Sequence, residues 1–131
     1  MIKKVLFLAF ISLITYLAFR GAGTNYFEVA KNKINNYNPP RKDFVVVIDY
    51  RKNILQKRLY VINMKTGNTE IESRVAHAFF SGILYPTDFS NVNETKKSCV
   101  GDFLTLTPYD GKLGRSMLIK GLNKGVNDNT L

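Results

Sequence analysis

Residues 57–76, KRLYVINMKTGNTEIESRVA, decide the fold class of this 131-residue chain. Two runs of strand-forming residues flank the turn sequence Lys65-Thr66-Gly67-Asn68. In the second run Ile71 and Val75 alternate with polar neighbours, as in a strand with one buried face. Gly67 supplies the positive φ that a tight turn needs. The segment therefore predicts a β-hairpin.

Further strands are predicted on both sides of this hairpin. DFVVVIDY at 43–50 is a β-branched run typical of a buried strand. DFLTLTPY at 102–109 and RSMLIKGL at 115–122 flank Asp110-Gly111, a strong turn dipeptide, and predict a second hairpin. A leading strand and two hairpins predict a mainly β fold of antiparallel strands, curled into a sandwich or a partial barrel.

A short helix is predicted before the strands, over residues 25–37. Its apolar residues Phe27, Ala30, Ile34 and Tyr37 recur at helical spacing, and Asn25 is suited to cap the first turn. The sequence Asn38-Pro39-Pro40 ends the helix, because proline cannot continue the hydrogen-bond ladder.

The segment between the two hairpins, HAFFSGILYPTDFSNVNETKKSC at 77–99, has neither strand nor helix periodicity. Loops of this length in compact domains are usually functional or disordered. Its aromatic residues make it too apolar for disorder. The segment is therefore predicted to be a functional loop.

The first 23 residues predict export. Two lysines precede an apolar run from Val5 to Phe19, and small residues follow at Gly21-Ala22-Gly23. This order is typical of a secretory signal peptide. The run is shorter than the roughly 20 residues that span a bilayer comfortably. Arg20 lies unusually close to the cleavage point, so an uncleaved N-terminal anchor stays open as the alternative.

The chain is basic, with a formal net charge of +9. Its lysines and arginines are scattered, and no aromatic-and-basic signature of nucleic-acid binding occurs. The charge fits either a solvated surface or attraction to an anionic cell envelope. A single cysteine excludes an internal disulfide.

No complete active site is readable from the residues alone. The chain has no phosphate-binding glycine loop and no Gly-x-Ser-x-Gly motif, and one histidine and one cysteine do not make a metal site. A nucleophilic pair of Cys99 and His77 is conceivable, but a structural role is the favoured interpretation for each. No cofactor and no metal are predicted.

Short motifs nevertheless resemble, in collinear order, those of the murein L,D-transpeptidase catalytic domain family. The matching segments are VVVIDYRKN at 45–53, KRLYVINMKTGN at 57–68, RVAHAFFSG at 74–82, FSNVNETKKSCVGDFLT at 89–105 and YDGKLGRSMLIKGLNKGVNDNT at 109–130. The resemblance implies an exported periplasmic or cell-envelope protein. It also implies acyl transfer between peptidoglycan stem peptides by a cysteine nucleophile, without a cofactor.

The resemblance also implies which residues do the chemistry. In the family, Asn-Asp-Asn leads into a strand with a histidine, and a later Gly-Cys segment holds the nucleophile. Neither lies within residues 1–131. Cys99 stands where the family usually has an apolar residue, so it is not the nucleophile, and His77 is not the general base. No catalytic residue is therefore expected here, and His77 and Ser81 are expected to line the substrate cleft.

The sequence thus divides into a signal peptide or anchor (1–23), a short helix with linker (24–42) and a truncated L,D-transpeptidase-like β-domain (43–131), expected to form an incomplete β-sandwich. The leading expectation is a family member that is inactive as this chain alone. The alternatives are a non-catalytic envelope β-domain that binds peptidoglycan or a partner, and a small membrane-anchored protein that shares only the fold.

Overall fold

One helix precedes five strands in the computed structural model, which describes residues 23–129. The elements are α1 (Tyr26–Tyr37), β1 (Phe44–Ile48), β2 (Leu59–Asn63), β3 (Thr69–Ser73), β4 (Phe103–Gly111) and β5 (Gly114–Gly121). The first three strands form one antiparallel sheet in the order β1–β2–β3, and β4 and β5 form a separate pair. The mainly β, antiparallel fold with one short leading helix is confirmed.

The predicted export segment lies outside the described residues, apart from Gly23. Within residues 23–129, no helix has the length and apolar character needed to cross a bilayer.

The hairpin read from residues 57–76 is present as β2 and β3. Gly67 has a φ of +78°, as the turn requires, and its N–H donates to the carbonyl of Asn63 at 2.8 Å. The pairing shifts register between Val61 and Ile62, where a bulge interrupts the ladder.

The expectation that residues 43–50 form a buried strand is wrong. β1 is an edge strand whose residues alternate between half-buried and exposed, with Phe44 58% and Val46 51% exposed. Only the side chains that face α1 are covered. A continuous β-branched run fits a strand covered on both faces, but α1 covers one face only.

The second predicted hairpin is confirmed, but its turn lies further along the chain. Gly111 pairs with Gly114, so the two turn residues are Lys112 and Leu113 and not Asp110-Gly111. Gly114 has a φ of +105°, whereas Gly111 lies outside the positive-φ region. The chain therefore uses the later glycine for the conformation that residues with a Cβ avoid.

Helix α1 begins and ends as the sequence indicates. The Asn25 side chain accepts a hydrogen bond from the Glu28 N–H at 3.2 Å, and Asn38 adopts a left-handed φ of 44° before the two prolines. Ala30, in the middle of the helix, is fully buried against Tyr60 and Ile62 of β2. Because alanine is small, the helix lies close to the sheet and forms the centre of a small core.

Helix α1 also connects the two sheets, which do not pack on each other in the described structure. The Lys33 ammonium donates to the Asp102 carboxylate at 2.8 Å, and the Tyr37 hydroxyl donates to the same oxygen at 2.9 Å. Asn123, just after β5, donates to the Tyr37 hydroxyl at 3.0 Å. Polar contacts thus hold the β4–β5 hairpin to the helix, an arrangement consistent with an incomplete β-sandwich.

A buried carboxylate fixes the start of α1 to the end of β1. Asp49 accepts two hydrogen bonds from the Arg51 guanidinium, at 2.8 and 2.7 Å, and one from the Tyr26 hydroxyl at 2.9 Å. Burial alone would raise the pKa of the Asp49 carboxyl, but these hydrogen bonds outweigh it and hold the pKa below its usual range. Asp49 is therefore ionised in the folded protein at neutral pH.

This lowered pKa predicts an acid-sensitive contribution to stability. Because the folded pKa lies below the unfolded value of about 3.9, the contribution is full above that value and is lost as the pH falls through the folded pKa. We expect the gap in urea midpoint between wild type and Asp49→Asn to be largest at pH 6 and to shrink below about pH 4. Asp110→Asn, at an exposed carboxylate, is the control and should show almost no gap. A gap for Asp49→Asn that is the same at pH 6 and pH 2.5 would contradict this assignment.

The base of the β4–β5 hairpin is closed by a buried amide. The Asn127 side chain donates to the carbonyls of Val100 and Asp102, at 3.1 and 3.0 Å, and accepts from the Asn123 N–H at 2.9 Å. Its backbone passes so close to Gly121 that a Cβ there would lie 1.9 Å from the Asn127 carbonyl oxygen. The chain after β5 can therefore fold back only over a glycine.

We expect Gly121→Ala to destabilise the protein by about 3 kcal/mol or more, because backbone atoms must move to admit the methyl group. Gly125→Ala is the matched control: that glycine has a φ of +71° but open space around it, so only conformational strain of about 1 kcal/mol applies. Urea unfolding of the two variants measures the difference. Equal losses would show that the close approach to Asn127 is not what requires glycine.

Candidate functional site

The residues expected to contact substrate lie on the irregular segment between β3 and β4, as the sequence predicts. A single 3₁₀ turn, Phe79–Ser81, is its only helical element within the described residues. His77 precedes this turn and Ser81 ends it. The structure therefore brings the two predicted residues into one compact loop.

This loop is positioned by the guanidinium of Arg58, which has no solvent-exposed surface. Its Nε and Nη2 atoms both donate to the Val75 carbonyl, at 3.0 and 2.7 Å, and Nη1 donates to the Lys52 carbonyl at 3.1 Å. The guanidinium carbon also lies 5.0 Å from the ring centre of Tyr50. Carbonyl dipoles and an aromatic face thus surround this cation, and it forms no ion pair with a described carboxylate.

Burial lowers the pKa of the Arg58 guanidinium, and Tyr50 partly opposes the shift. An arginine stays protonated in proteins because its ordinary pKa lies far above neutral pH. Arg58 is thus a permanent buried cation, and any movement that removes its acceptors would cost several kcal/mol.

His77 is held between two fixed partners. Its Nδ1 lies 2.8 Å from Arg58 Nη2, and its Nε2 lies 2.8 Å from the Gly82 carbonyl oxygen. A guanidinium only donates and a carbonyl only accepts, so Nδ1 must accept and Nε2 must carry the proton. The two contacts therefore fit the tautomer that carries its proton on Nε2. Both nitrogens are engaged inside the protein, and neither is placed to take a proton from a nucleophile.

Aromatic rings cover one side of the Arg58–His77 pair. Tyr50 meets the His77 ring edge-on at 6.3 Å and stacks on Phe89 at 6.0 Å. By contrast, Phe79 and Phe80 point outward, with Phe79 82% exposed. The loop thus combines a fixed polar interior with an apolar, accessible rim.

Ser81 is fully buried and serves the loop itself. Its hydroxyl oxygen accepts from the Ser98 N–H at 2.7 Å, and its carbonyl accepts from the N–H groups of Thr87 and Asp88. The Ser98 hydroxyl in turn accepts from the Ala78 N–H at 2.9 Å. Ser81 therefore shapes the backbone that surrounds His77. Substrate contact by His77 and Ser81 stays a prediction.

The thiol of Cys99 is half-buried and donates to the Ser90 carbonyl at 3.0 Å. This partner is an acceptor and not a base. The geometry fits the structural interpretation of Cys99. Among residues 23–129, no three histidine, cysteine, aspartate or glutamate side chains are grouped closely enough to hold a metal ion.

The burial of Arg58 is predictable from its spacing in the sequence, although arginine is a residue type that is mostly exposed. Arg58 lies one residue before β2, and it shares a spacing of two with Tyr60 and Ile62 in that strand; all three side chains are buried. Because side chains two residues apart point to the same face of a strand, the period of two places Arg58 on the core side. Its partner His77 is a site residue that the sequence predicts, but the link between the two depends on the path of the chain after β3.

These features define a class of protein: an antiparallel β-domain with a short leading helix, in which a long loop is held around a buried arginine. The chain matches the family model described as the L,D-transpeptidase catalytic domain over residues 15–131. It belongs to this family, as its motifs predicted. Comparison with curated proteins and with solved structures gave no significant match.

The match begins well before Phe44 and so includes α1. Several residues in the matching motifs now have physical roles. Asp49 binds Arg51 and Tyr26, Arg58 holds the loop, and Gly121 admits the backbone at Asn127. These motif residues are therefore used for architecture. The family acts on peptidoglycan, which indicates a cell-envelope setting.

We expect Arg58→Lys to destabilise the protein by several kcal/mol. One ammonium cannot reach the carbonyls of Lys52 and Val75 together with His77, and each buried acceptor left unpaired costs about 1–3 kcal/mol. Arg115→Lys is the matched control, because that side chain is 72% exposed and 3.7 Å from Asp110. Urea unfolding, together with the NMR signal of the His77 Nε2 proton, measures the effect. Equal midpoints for the two variants would show that Arg58 does not hold the loop.

Proposed function

We propose that this chain is an exported protein that acts on peptidoglycan, and that residues 1–131 supply the first part of an L,D-transpeptidase catalytic domain. Residues 1–23 serve export, as a cleaved signal peptide or a retained anchor. Support comes from one observation above all: the family match extends over residues 15–131, while His77 and Cys99 are both committed to structural hydrogen bonds. The nucleophile and its base are therefore assigned to sequence that follows Asn127-Asp128-Asn129 in the family.

The reaction proposed for the complete family domain is acyl transfer between stem peptides. The cysteine thiol gives its proton to histidine, and the thiolate attacks the carbonyl of the third residue of a stem peptide. The C–N bond breaks, the terminal D-alanine leaves with the proton from histidine, and a thioester remains. An amine of a neighbouring stem then attacks the thioester and loses a proton, which releases the thiol. Backbone N–H groups stabilise the oxyanion in each step.

The described residues are proposed to bind and orient the stem peptide. Ser81 is buried, so its proposed contribution is to set the backbone around Gly82, and half-buried His77 is proposed to border the bound stem peptide. The exposed rings of Phe79 and Phe80 offer an apolar surface beside them. Because Arg58 fixes the loop before substrate arrives, less ordering is needed on binding.

A non-catalytic envelope β-domain that binds peptidoglycan is the second candidate. The hydrogen bonds of His77 and Cys99 to backbone carbonyls favour this candidate, because neither side chain is placed to act as base or nucleophile. The two candidates differ in one respect: the first needs further sequence for turnover, and the second needs none for its role.

We expect purified residues 1–131 to form no cross-linked product from tetrapeptide muropeptides, as followed by mass spectrometry. In a well-studied hydrolase, loss of the nucleophile or base lowers turnover by about 10⁶-fold. Cys99→Ala should behave in the same way. Cross-linking that disappears in Cys99→Ala would overturn the assignment and make Cys99 the nucleophile.

The same protein should co-sediment with isolated peptidoglycan. Phe79→Ser should weaken this binding, whereas Leu113→Ser, at a fully exposed apolar residue on the β4–β5 turn, is the control. Equal binding by both variants would remove the loop from the proposed substrate surface.

A further inference from the structure

A shallow cleft beside α1 has no part in the proposed acyl transfer. It has a volume of about 240 Å³ and is lined by Phe27, Lys31, Ile34, Lys42 and Met64. It lies between the helix, the linker that follows it and the turn after β2. This volume is below the roughly 300–1,000 Å³ of common small-molecule sites, so the cleft suits a slender ligand.

The helix supplies one wall with a single stripe of residues. Phe27, Lys31 and Ile34 are spaced four and three residues apart, which places them above one another on α1. Ala30, on the adjacent stripe, is fully buried against the sheet, and Phe27 packs against the same core while it stays half-buried. The larger side chains beside it stay half-exposed, and Met64 forms the opposite wall. The apolar walls therefore result directly from the close approach of the helix at Ala30.

The charged lining of the cleft is entirely positive. Lys31 forms no ion pair with a described residue, and the Lys42 ammonium donates to the neutral Asn38 side chain at 2.5 Å. The neighbouring carboxylate, Asp43, is paired with Lys65 at 2.9 Å, and its pKa is lowered by that partner and by Arg41. Two cations thus border an apolar cleft, and the carboxylate that follows Lys42 in the chain, Asp43, is already paired with Lys65.

We propose that this cleft binds one acyl chain of an anionic lipid, with the headgroup on Lys31 and Lys42. Apolar walls suit the chain, and long lysine side chains place their charge at the edge of apolar surface. The choice of a membrane lipid rests on the proposed envelope function: the apolar run Val5–Phe19 shortly precedes α1. In the form of the protein that retains this run as an anchor, α1 is the first described element that follows the run along the chain.

A soluble probe tests the cleft without a membrane. We expect octanoate to cause saturable NMR shifts of the Ile34 and Met64 methyl groups, and 1-octanol, which lacks the charge, to bind much more weakly. The double variant Lys31→Gln, Lys42→Gln should lose the octanoate shifts, since it keeps most of each side-chain stem and removes both charges. Lys120→Gln, Lys124→Gln, at exposed lysines outside the cleft lining, is the matched control and should resemble wild type. Absent or non-saturating shifts, or equal shifts in the cleft variant, would overturn the site.

Vesicles test whether a lipid is the ligand. We expect the full chain to bind phosphatidylglycerol vesicles more tightly than phosphatidylcholine vesicles, and the cleft variant to lose on the order of tenfold or more in affinity for the former. Vesicle binding that persists unchanged in the cleft variant, with no octanoate shifts, overturns the cleft and leaves the proposed membrane association intact. Octanoate binding without vesicle binding by any variant overturns the lipid assignment and counts against membrane association through residues 1–23.

Discussion

The buried guanidinium of Arg58 is the interaction on which the candidate site depends. It joins three parts of the chain: the turn after β1 at Lys52, the segment after β3 at Val75, and His77. It has no described carboxylate partner, so carbonyl dipoles and the Tyr50 ring compensate its charge. A buried cation that loses such partners is strongly destabilising. The path of the loop from Val75 to His77 is therefore set by the hydrogen-bond requirements of one side chain.

Polar contacts matter so much here because the apolar core is small. Only three hydrophobic residues of the described chain are buried, Ala30, Tyr60 and Ile62, and many large apolar side chains on β1, β4 and β5 are exposed. Hydrogen-bonded groups therefore make the long-range connections: Asp49 at the start of the helix, Asp102 at its end, and Asn127 below the second hairpin. Each of these three side chains has more than one hydrogen-bond partner, so each one holds several segments of the chain together.

The small apolar core also explains why residues of reactive type form structural hydrogen bonds in this part of the domain. The histidine uses both nitrogens to join Arg58 to the Gly82 carbonyl, the cysteine donates to a carbonyl, and the serine hydroxyl accepts a backbone N–H. The part of the chain that matches the L,D-transpeptidase family thus includes reactive residue types that shape the domain. The loop they build has exposed phenylalanines at its rim and a hydrogen-bonded polar interior.

The sequence by itself determined the features that depend on near neighbours: the helix with its Asn25 cap, both hairpins, the positive φ at Gly67 and the irregular character of the long loop. These follow from period, capping and turn chemistry within a few residues. The turn predicted for the second hairpin was wrong, because Gly111 and Gly114 both permit a turn and only the strand pairing selects between them. Tertiary structure alone decided that β1 is an exposed edge, that Gly121 faces Asn127, and that Arg58 meets His77. The burial of a residue and its buried polar partners depend on which distant segment of the chain packs next to it, and a local sequence pattern does not specify that packing.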